Sequence, residues 1–208
     1  MKFCIFLTFL LVFFSCSLQE SDFSTFERLS ERVNKVPDSV LLVLEDMDTL
    51  QMSDNDKAVR WLLIAKAADK SAKPLPDIIH LECAKKYFLS QNDIINQAAC
   101  YFYIGRVLYE GGKKEAALQK YIKANELLSS HSTKDYQISG LINIHIGDIH
   151  FEHDLYEDAL TYGKKALLNF QQINDSLNIA LTIRNIGRCH LFRQDLDSAV
   201  SFYQQSVS

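Results

Sequence analysis

The chain has 208 residues, of which 48% are hydrophobic and 23% are charged, and its formal net charge is −4 at pH 7. A chain of this length and apolar content is long enough to bury a core of its own. A mildly acidic chain without blocks of Lys and Arg is not typical of nucleic-acid-binding proteins, so we expect these residues to contact no nucleic acid.

The N-terminus has the pattern of an export signal. Met1 and Lys2 precede an apolar run from Phe3 to Phe14. At about 1.5 Å per residue, this run spans roughly 18 Å as a helix, which is too short for a hydrocarbon core about 30 Å thick. The pattern therefore predicts a signal peptide over residues 1–15 that is removed on export.

The residues that end this run resemble the lipobox of bacterial lipoproteins. Ser15 places a small residue before Cys16, and Phe13 stands where that family usually has Leu. The resemblance implies that Cys16 carries lipid, that residues 16–21 form a short tether, and that the protein lies on the cell membrane, facing the periplasm. A cleaved but unlipidated secreted protein and a retained membrane anchor are the alternatives.

Apolar residues recur at three- and four-residue spacing through the rest of the chain, as amphipathic helices require. Val40 to Leu50 reads as one of these helices, with Asp38 or Ser39 as its cap. No alternation of apolar and polar residues indicates strands, so the expected fold class is all-α. The breaks between helices predict five helical hairpins, over about residues 22–50, 53–90, 93–130, 134–172 and 175–208.

Three segments of the chain share one template, in which Ile-Gly on a first helix is followed by Ala on a second helix. Small residues at both places let two helices cross closely and bury their apolar faces together. The Ile-Gly pairs begin at Ile104, Ile146 and Ile186. The Ala of each copy lies twelve residues after the Gly, at Ala117, Ala159 and Ala199.

The best-formed copy has a large residue and Gly on the first helix, and Ala, an aromatic residue and Ala on the second. This spacing resembles the tetratricopeptide family, and the residues that match it are Tyr101, Ile104, Gly105, Leu108, Ala117, Tyr121 and Ala124. The next copy departs from the pattern, with Gly163 in place of the second-helix aromatic. The resemblance implies a right-handed superhelical stack of antiparallel hairpins, degenerate over residues 22–92 and regular over 93–208, with the last repeat apparently truncated.

Members of this family bind a protein or peptide partner in a concave groove lined by first-helix residues. Carrying those positions onto this sequence gives Phe102, Arg106, Tyr109, Ile144, Asp148, Phe151, Arg184, Arg188 and Leu191. Aromatic residues with three arginines suit an extended peptide or a helix with acidic groups. The set offers no site for chemistry, so we expect a protein-interaction module and neither catalysis nor a cofactor.

A metal-binding protein or an enzyme is the alternative from another class, because His145, His150 and His153 lie near Asp148, Glu152 and Asp154 in the sequence. Two observations speak against it. His145 and His150 are five residues apart, too far round a helix to share one face. The residues from His150 to His153 also lack the His-Glu-x-x-His order of zinc proteases.

The order of signal, Cys and long hairpins resembles exported membrane regulators of Bacteroides-like bacteria, in which a membrane-spanning and a signalling region follow the repeats. Val200, Tyr203 and Val207 form an apolar stripe on the last helix that nothing in the sequence covers. The resemblance implies the sensing region of a signalling or transcriptional regulator. A self-contained lipid-anchored adaptor and a structural factor in envelope assembly are the other interpretations.

Overall fold

The computed structural model describes residues 20–130 and 134–207, and within these ranges the chain forms ten α-helices and no strand. Consecutive helices pair into five hairpins, which confirms the prediction of an all-α stack. In chain order the helices are α1 (Glu20–Arg32), α2 (Pro37–Glu45), α3 (Asp54–Lys70), α4 (Ile78–Ser90), α5 (Ile94–Glu110), α6 (Lys114–Ser130), α7 (Tyr136–Glu152), α8 (Tyr156–Gln172), α9 (Ser176–Phe192) and α10 (Leu196–Gln205).

Tight turns of one recurring design separate most of the helices. One residue in each turn takes the left-handed conformation, and these residues are Ala72, Asn92, Gly112, Asp154, Asn174 and Gln194. The N–H of the following residue then donates to the carbonyl five residues earlier, as from Asp93 to Phe88 at 3.0 Å. This is the Schellman pattern that ends a helix. In several turns the next residue is an Asp whose carboxylate caps the new helix, as Asp175 does with the N–H of Asn178.

Helix α2 is shorter than the sequence predicts, and its cap differs. It ends at Glu45 instead of Leu50, whose side chain is 84% exposed and whose N–H donates to Asp48 Oδ1 at 2.9 Å. A short polar side chain that bonds the backbone locally competes with the helix, and this bond accounts for the early end. The N-cap is Val36, which has no capping side chain, while Asp38 pairs with Lys73 at 3.0 Å.

The apolar core runs through the stack in three adjoining clusters. The first lies between α1, α2 and α3, where Val33 and Leu44 are fully buried. The second, largest cluster joins α3 to α7 and includes the fully buried rings of Phe102 and Tyr121. The third joins α8, α9 and α10 around Ile186. Each hairpin thus buries its apolar face against its neighbours, as expected of a repeat stack.

Glycines on the first helices lie where the second helices cross closest. A Cβ added to Gly105 would lie 2.5 Å from the ring of Tyr121, and one added to Gly187 would lie 3.3 Å from the ring of Tyr203.

Part of the last helix, α10, is uncovered within the described residues. Its Val200 side chain is 55% exposed.

Candidate partner-binding surface

The predicted groove residues of α5 are paired with neighbouring first helices. Arg106 of α5 forms ion pairs with Asp69 of α3 and, within its own helix, with Glu110 at 2.9 Å. Tyr109 donates its hydroxyl hydrogen to Glu152 of α7. Burial together with this bond to a carboxylate raises the pKa of the Tyr109 hydroxyl. These two side chains therefore link three consecutive hairpins across the first-helix face.

A second set of contacts joins α7 to α9. Arg188 of α9 pairs with Asp148 of α7 at 3.3 Å, and its guanidinium carbon lies 4.1 Å from the centre of the Phe151 ring. Burial raises the pKa of Asp148, and the nearby Arg188 acts in the opposite direction. The ring of Phe151 also meets the ring of Phe192 edge-on, with 5.0 Å between the ring centres. Asp148, Phe151 and Arg188, three of the predicted groove residues, thus lie close together, but their contacts are with one another.

Phe102 lies in the core instead of on the groove surface. Its side chain is fully buried, and its ring contacts the rings of Tyr103, Tyr121 and His145. The register of α5 against α6 turns this position toward the hairpin interior, where an aromatic side chain contributes to packing.

Little space remains in the middle of the predicted groove. A small cavity of about 20 Å³ lies beside Ile144, Asp148, Phe151 and Arg188. A volume of that size holds about one water molecule. A partner side chain therefore cannot enter here unless these residues move apart.

The α9 end of the face is open. Arg184 is exposed, Leu191 is 42% exposed and Phe192 is 55% exposed. The positions of Leu191 and Phe192 correspond in the repeat to Phe151 and Glu152 of α7, which contact the neighbouring first helices. In the described part of the chain no further hairpin covers them, and they form the accessible part of the predicted surface, together with Arg184.

The structure does not bring the proposed metal ligands together. His145 is partly buried against the rings of Phe102 and Tyr121, whereas His150 stacks on Tyr162 and His153 faces Glu115. Residues 20–130 and 134–207 contain no group of three or more potential ligands that could hold a metal ion.

An open groove that the sequence does not predict lies near the starts of α5, α7 and α9. It has a volume of about 680 Å³. Its walls come from the end of α3 and the starts of α5, α7 and α9, and they include Lys70, Ile95, Lys134, Tyr136 and Leu177. These residues are scattered over more than a hundred positions, and only the curvature of the stack brings them to one place.

The predicted lipidation site, Cys16, lies outside the described residues. Among the helices that the structure describes, each is too short or too polar to cross a bilayer. Residues 1–15, assigned to a signal peptide, and the tether over 16–21 therefore stay predictions.

Comparison with known proteins finds a family match over the C-terminal part of the chain. The model for the tetratricopeptide repeat matches residues 139–208. This match supports tetratricopeptide repeats in the last two hairpins. That family is typically a scaffold for protein–protein interactions. No curated protein matches the chain.

The fold also has a counterpart among solved structures. The chain is similar to the crystal structure of BtubC (BKLC) from P. vanneervenii, with a TM-score of 0.60 and 13% sequence identity. The match covers 92% of this chain and 90% of that one. At such low identity the likeness shows a shared fold, and it extends the helical-repeat architecture over the N-terminal hairpins that the family model does not reach.

Proposed function

We propose that this chain is a membrane-tethered protein-interaction module that binds a protein or peptide partner on the α9 end of its first-helix face. The first-helix face changes along the stack, and this change supports the proposal. Arg106, Tyr109 and Asp148 are paired with neighbouring hairpins. Arg184 and Leu191 are exposed.

The chemistry of the open end suits a partner with both apolar and acidic groups. Leu191 and Phe192 offer apolar surface, and Arg184 makes no ion pair with any described residue. Arginine and aromatic side chains often dominate the binding energy of protein interfaces. The ring of Phe192 also contacts the rings of Phe151 and Tyr156, so less side-chain freedom is lost when a partner packs on it.

Photocrosslinking tests the surface. A benzophenone amino acid is placed at Leu191 and, as a matched control, at Leu168 of α8, which is 62% exposed on a second helix. In native cells we expect a crosslinked product of defined mass from position 191 and none from 168. Arg184→Glu should weaken the product from 191. Equal products at both positions, or none at 191, would overturn the assignment of the surface.

The tether is proposed from the N-terminal pattern alone. If Cys16 carries lipid, Cys16→Ser moves the protein from the membrane fraction to the soluble fraction, because several acyl chains on one residue supply most of the membrane affinity. A Ser15→Ala control keeps a small residue before the Cys and should stay membrane-bound. Retention of the Cys16→Ser protein in membranes would contradict lipidation and favour a retained anchor.

The resemblance to a membrane regulator is tested by the mass of the native product. An immunoblot with antibodies against the repeats on separated membranes distinguishes the two interpretations. A membrane-bound band near 23.8 kDa, less the signal, indicates a self-contained adaptor. A band two or three times larger indicates the sensing region of a regulator.

A further inference from the structure

The last helix presents a stripe of apolar side chains to solvent. Leu196, Val200, Tyr203 and Val207 follow one another at helical spacing, so they lie along one side of α10 and the turn that ends it. Leu196 is 60% exposed, Val200 55% and Val207 87%. Tyr203 is partly buried, because its ring also lies beside Gly187. Within residues 20–130 and 134–207 the stripe is left open.

The preceding second helix, α8, shows what such a stripe packs against. Ala159 and Ala199 hold the same place in the repeat. Counted from these alanines, the positions on α8 that correspond to the stripe are Tyr156, Leu160, Gly163 and Leu167. The ring of Tyr156 meets Phe192 of α9, with 5.8 Å between the ring centres. The other three positions lie against Ile186 of α9 or in the apolar cluster around it. Because α8 and α9 are joined by a tight turn, the stripe is the equivalent of a ridge that an antiparallel helix covers.

The spacing of the stripe is symmetric. Its intervals are four, three and four residues, so it reads the same in both directions. When two such stripes pack antiparallel about a two-fold axis, Leu196 of one copy faces Val207 of the other, and Val200 faces Tyr203. Each apolar side chain then meets an apolar or aromatic one. The same patch thus serves on both copies, as an isologous contact requires.

Charge on the helix does not oppose this pairing. Among the residues of α10, only Asp197 is charged. The antiparallel register sets Asp197 opposite Ser206 of the second copy, so the two carboxylates are separated by about 14 Å along the helix axes. The two helices also run in opposite directions, which makes the interaction of their dipoles favourable.

The opposite end of the stack is polar instead. The outward side of α1 exposes four charged side chains, those of Glu27, Arg28, Glu31 and Arg32. A head-to-tail contact between α10 of one copy and α1 of the next would bury these charges against the apolar stripe, which is unfavourable. Such a contact would also generate an open filament. The two ends of the molecule therefore favour a closed pair formed through α10 alone.

We propose that α10 is the contact surface of a symmetric dimer, in which the stripes of two copies pack antiparallel across a two-fold axis. The second copy's α10 takes the place that α9 holds on α8, and it covers side chains that water otherwise surrounds. The inference goes beyond the proposed function and does not depend on it, because Leu191 and Arg184 belong to the first-helix face of α9.

Photocrosslinking between two tagged copies tests the dimer. The full chain is co-expressed in native cells with two different C-terminal epitope tags on flexible linkers, and a benzophenone amino acid replaces Gln204, beside the stripe. We expect a product of twice the chain's mass that carries both tags. The matched control is Gln119, an exposed glutamine on α6, which should give no such product. No product with both tags from position 204, a product only with another protein, or equal two-tag products at both positions would overturn the proposal.

A charge swap tests the antiparallel register. Leu196→Glu in both copies, or Val207→Lys in both, should reduce the two-tag product at least about tenfold, because unpaired charges are then buried in the contact. When one copy carries Leu196→Glu and the other Val207→Lys, the two charges face each other, and most of the product should return. Leu168→Glu, at a side chain on α8 that is 62% exposed, is the control and should leave the product unchanged. No recovery in the mixed pair, or an equal loss with Leu168→Glu, would overturn the two-fold contact. Failure of the Leu191 crosslink would leave the dimer standing and count only against the partner surface.

Discussion

The third hairpin (α5–α6) and the fourth (α7–α8) follow one template but fill their helix crossings differently. In the third, the ring of Tyr121 lies over Gly105. In the fourth, Gly163 takes the place of that tyrosine. The ring is supplied instead by Phe170, farther along α8, which lies over Gly140 of α7.

The two arrangements are related by the geometry of antiparallel helices. Phe170 lies seven residues after Gly163, and Gly140 lies seven residues before Gly147. Seven residues are about two turns of helix, or roughly 10.5 Å, and the displacement is the same along both helices. Relative to the third hairpin, the ring and the glycine beneath it are therefore both displaced by about two helical turns. We call each such position along the two helices a level of the crossing.

At the corresponding level of the third hairpin, the same register sets Ala98 against Leu128, and both are buried. The third hairpin thus combines Gly with Tyr at one level and Ala with Leu at the next. The fourth combines Gly with Gly and then Gly with Phe. Both hairpins therefore fill the space along the whole crossing, in keeping with the close packing of protein interiors, without the same residue type at each position.

The largest expected effect comes from removing the displaced ring. Phe170 is fully buried. Phe170→Ala should lower the free energy of unfolding by about 3–5 kcal/mol, through lost burial and the cavity left behind. Urea denaturation measures the change in the free energy of unfolding. The control is Phe192→Ala, at a ring that is 55% exposed, and its effect should be much smaller. A loss below about 1 kcal/mol for Phe170→Ala would mean that the ring does not fill the crossing.

A double-mutant cycle sharpens this result by rebuilding the third hairpin's pair in the fourth. Gly140→Ala alone places a Cβ 2.6 Å from the Phe170 ring, and Phe170→Leu alone leaves a void above Gly140. Together they recreate an Ala–Leu pair, so the double variant should be more stable than the sum of the single effects predicts, by about 1–2 kcal/mol. Strict additivity would show that the two levels are not equivalent.

Replacement by Ala should change the stability in opposite directions at Gly105 of the third hairpin and at Gly147 of the fourth. Gly105→Ala drives a Cβ into the buried ring of Tyr121, so we expect a loss of about 1–3 kcal/mol from overpacking. At Gly147 the nearest atoms to an added Cβ are 3.4 Å away, which is a contact that small shifts can accommodate. Gly147→Ala should be neutral or stabilise by up to about 1 kcal/mol, because Ala favours the helix. Thermal unfolding of both variants measures these changes in stability. Equal losses of stability would contradict the difference in packing.

The ring of Tyr121 is also covered by the fourth hairpin, through His145, which makes this contact sensitive to pH. The rings lie 5.5 Å apart and stack, and burial lowers the pKa of His145 from 6.5 to about 3, with Arg106 adding to the effect. Between those values the unfolded chain binds a proton that the folded chain excludes, so stability decreases as pH falls from about 6.5 toward 3.

His145→Phe removes the group that binds this proton, so the stability of the variant should depend less on pH. Relative to the variant, we expect the natural chain to lose about 1–3 kcal/mol more stability between pH 7 and pH 4, from denaturation curves at each pH. His153→Gln, at a side chain that is 42% exposed, is the control and should keep the natural dependence. The same pH dependence in the natural chain and in His145→Phe would show that folding does not favour the neutral form of His145.

The sequence predicts the hairpins because their signals are local. Helical periodicity and the Ile-Gly to Ala spacing both act over one or two turns of neighbouring helices, and the all-α stack follows from them. The turns carry a further local signal. A left-handed residue followed by Asp recurs at Asn92, Asn174 and Gln194, and it could have fixed the helix ends.

The binding surface was harder to predict, because it depends on side chains far apart in the sequence. The partner of Arg106 is Asp69, 37 residues away, and no periodicity reveals that the two meet. The groove beside Lys70 and Lys134 brings together residues from five hairpins. Phe102 was assigned to the surface by its repeat position, while its rotation toward Tyr121 depends on how closely Gly105 lets the helices approach.

The smallest expected effect separates backbone conformation from packing at the turn of the third hairpin. Gly112 has a φ of +75° and nothing within 4 Å of an added Cβ, whereas an added Cβ at its neighbour Gly111 lies 3.4 Å from the nearest atom, with the backbone at a φ of −78°. Gly112→Ala should therefore cost about 1 kcal/mol from the left-handed conformation alone. Gly112→Asn should cost less, since Asn tolerates this conformation, as Asn92 and Asn174 do in the equivalent turns. Gly111→Ala is the adjacent control and should not destabilise. If Gly111→Ala and Gly112→Ala lowered the unfolding temperature equally, the turn would not be governed by φ, and the contrast between the hairpins would rest on helix crossings alone.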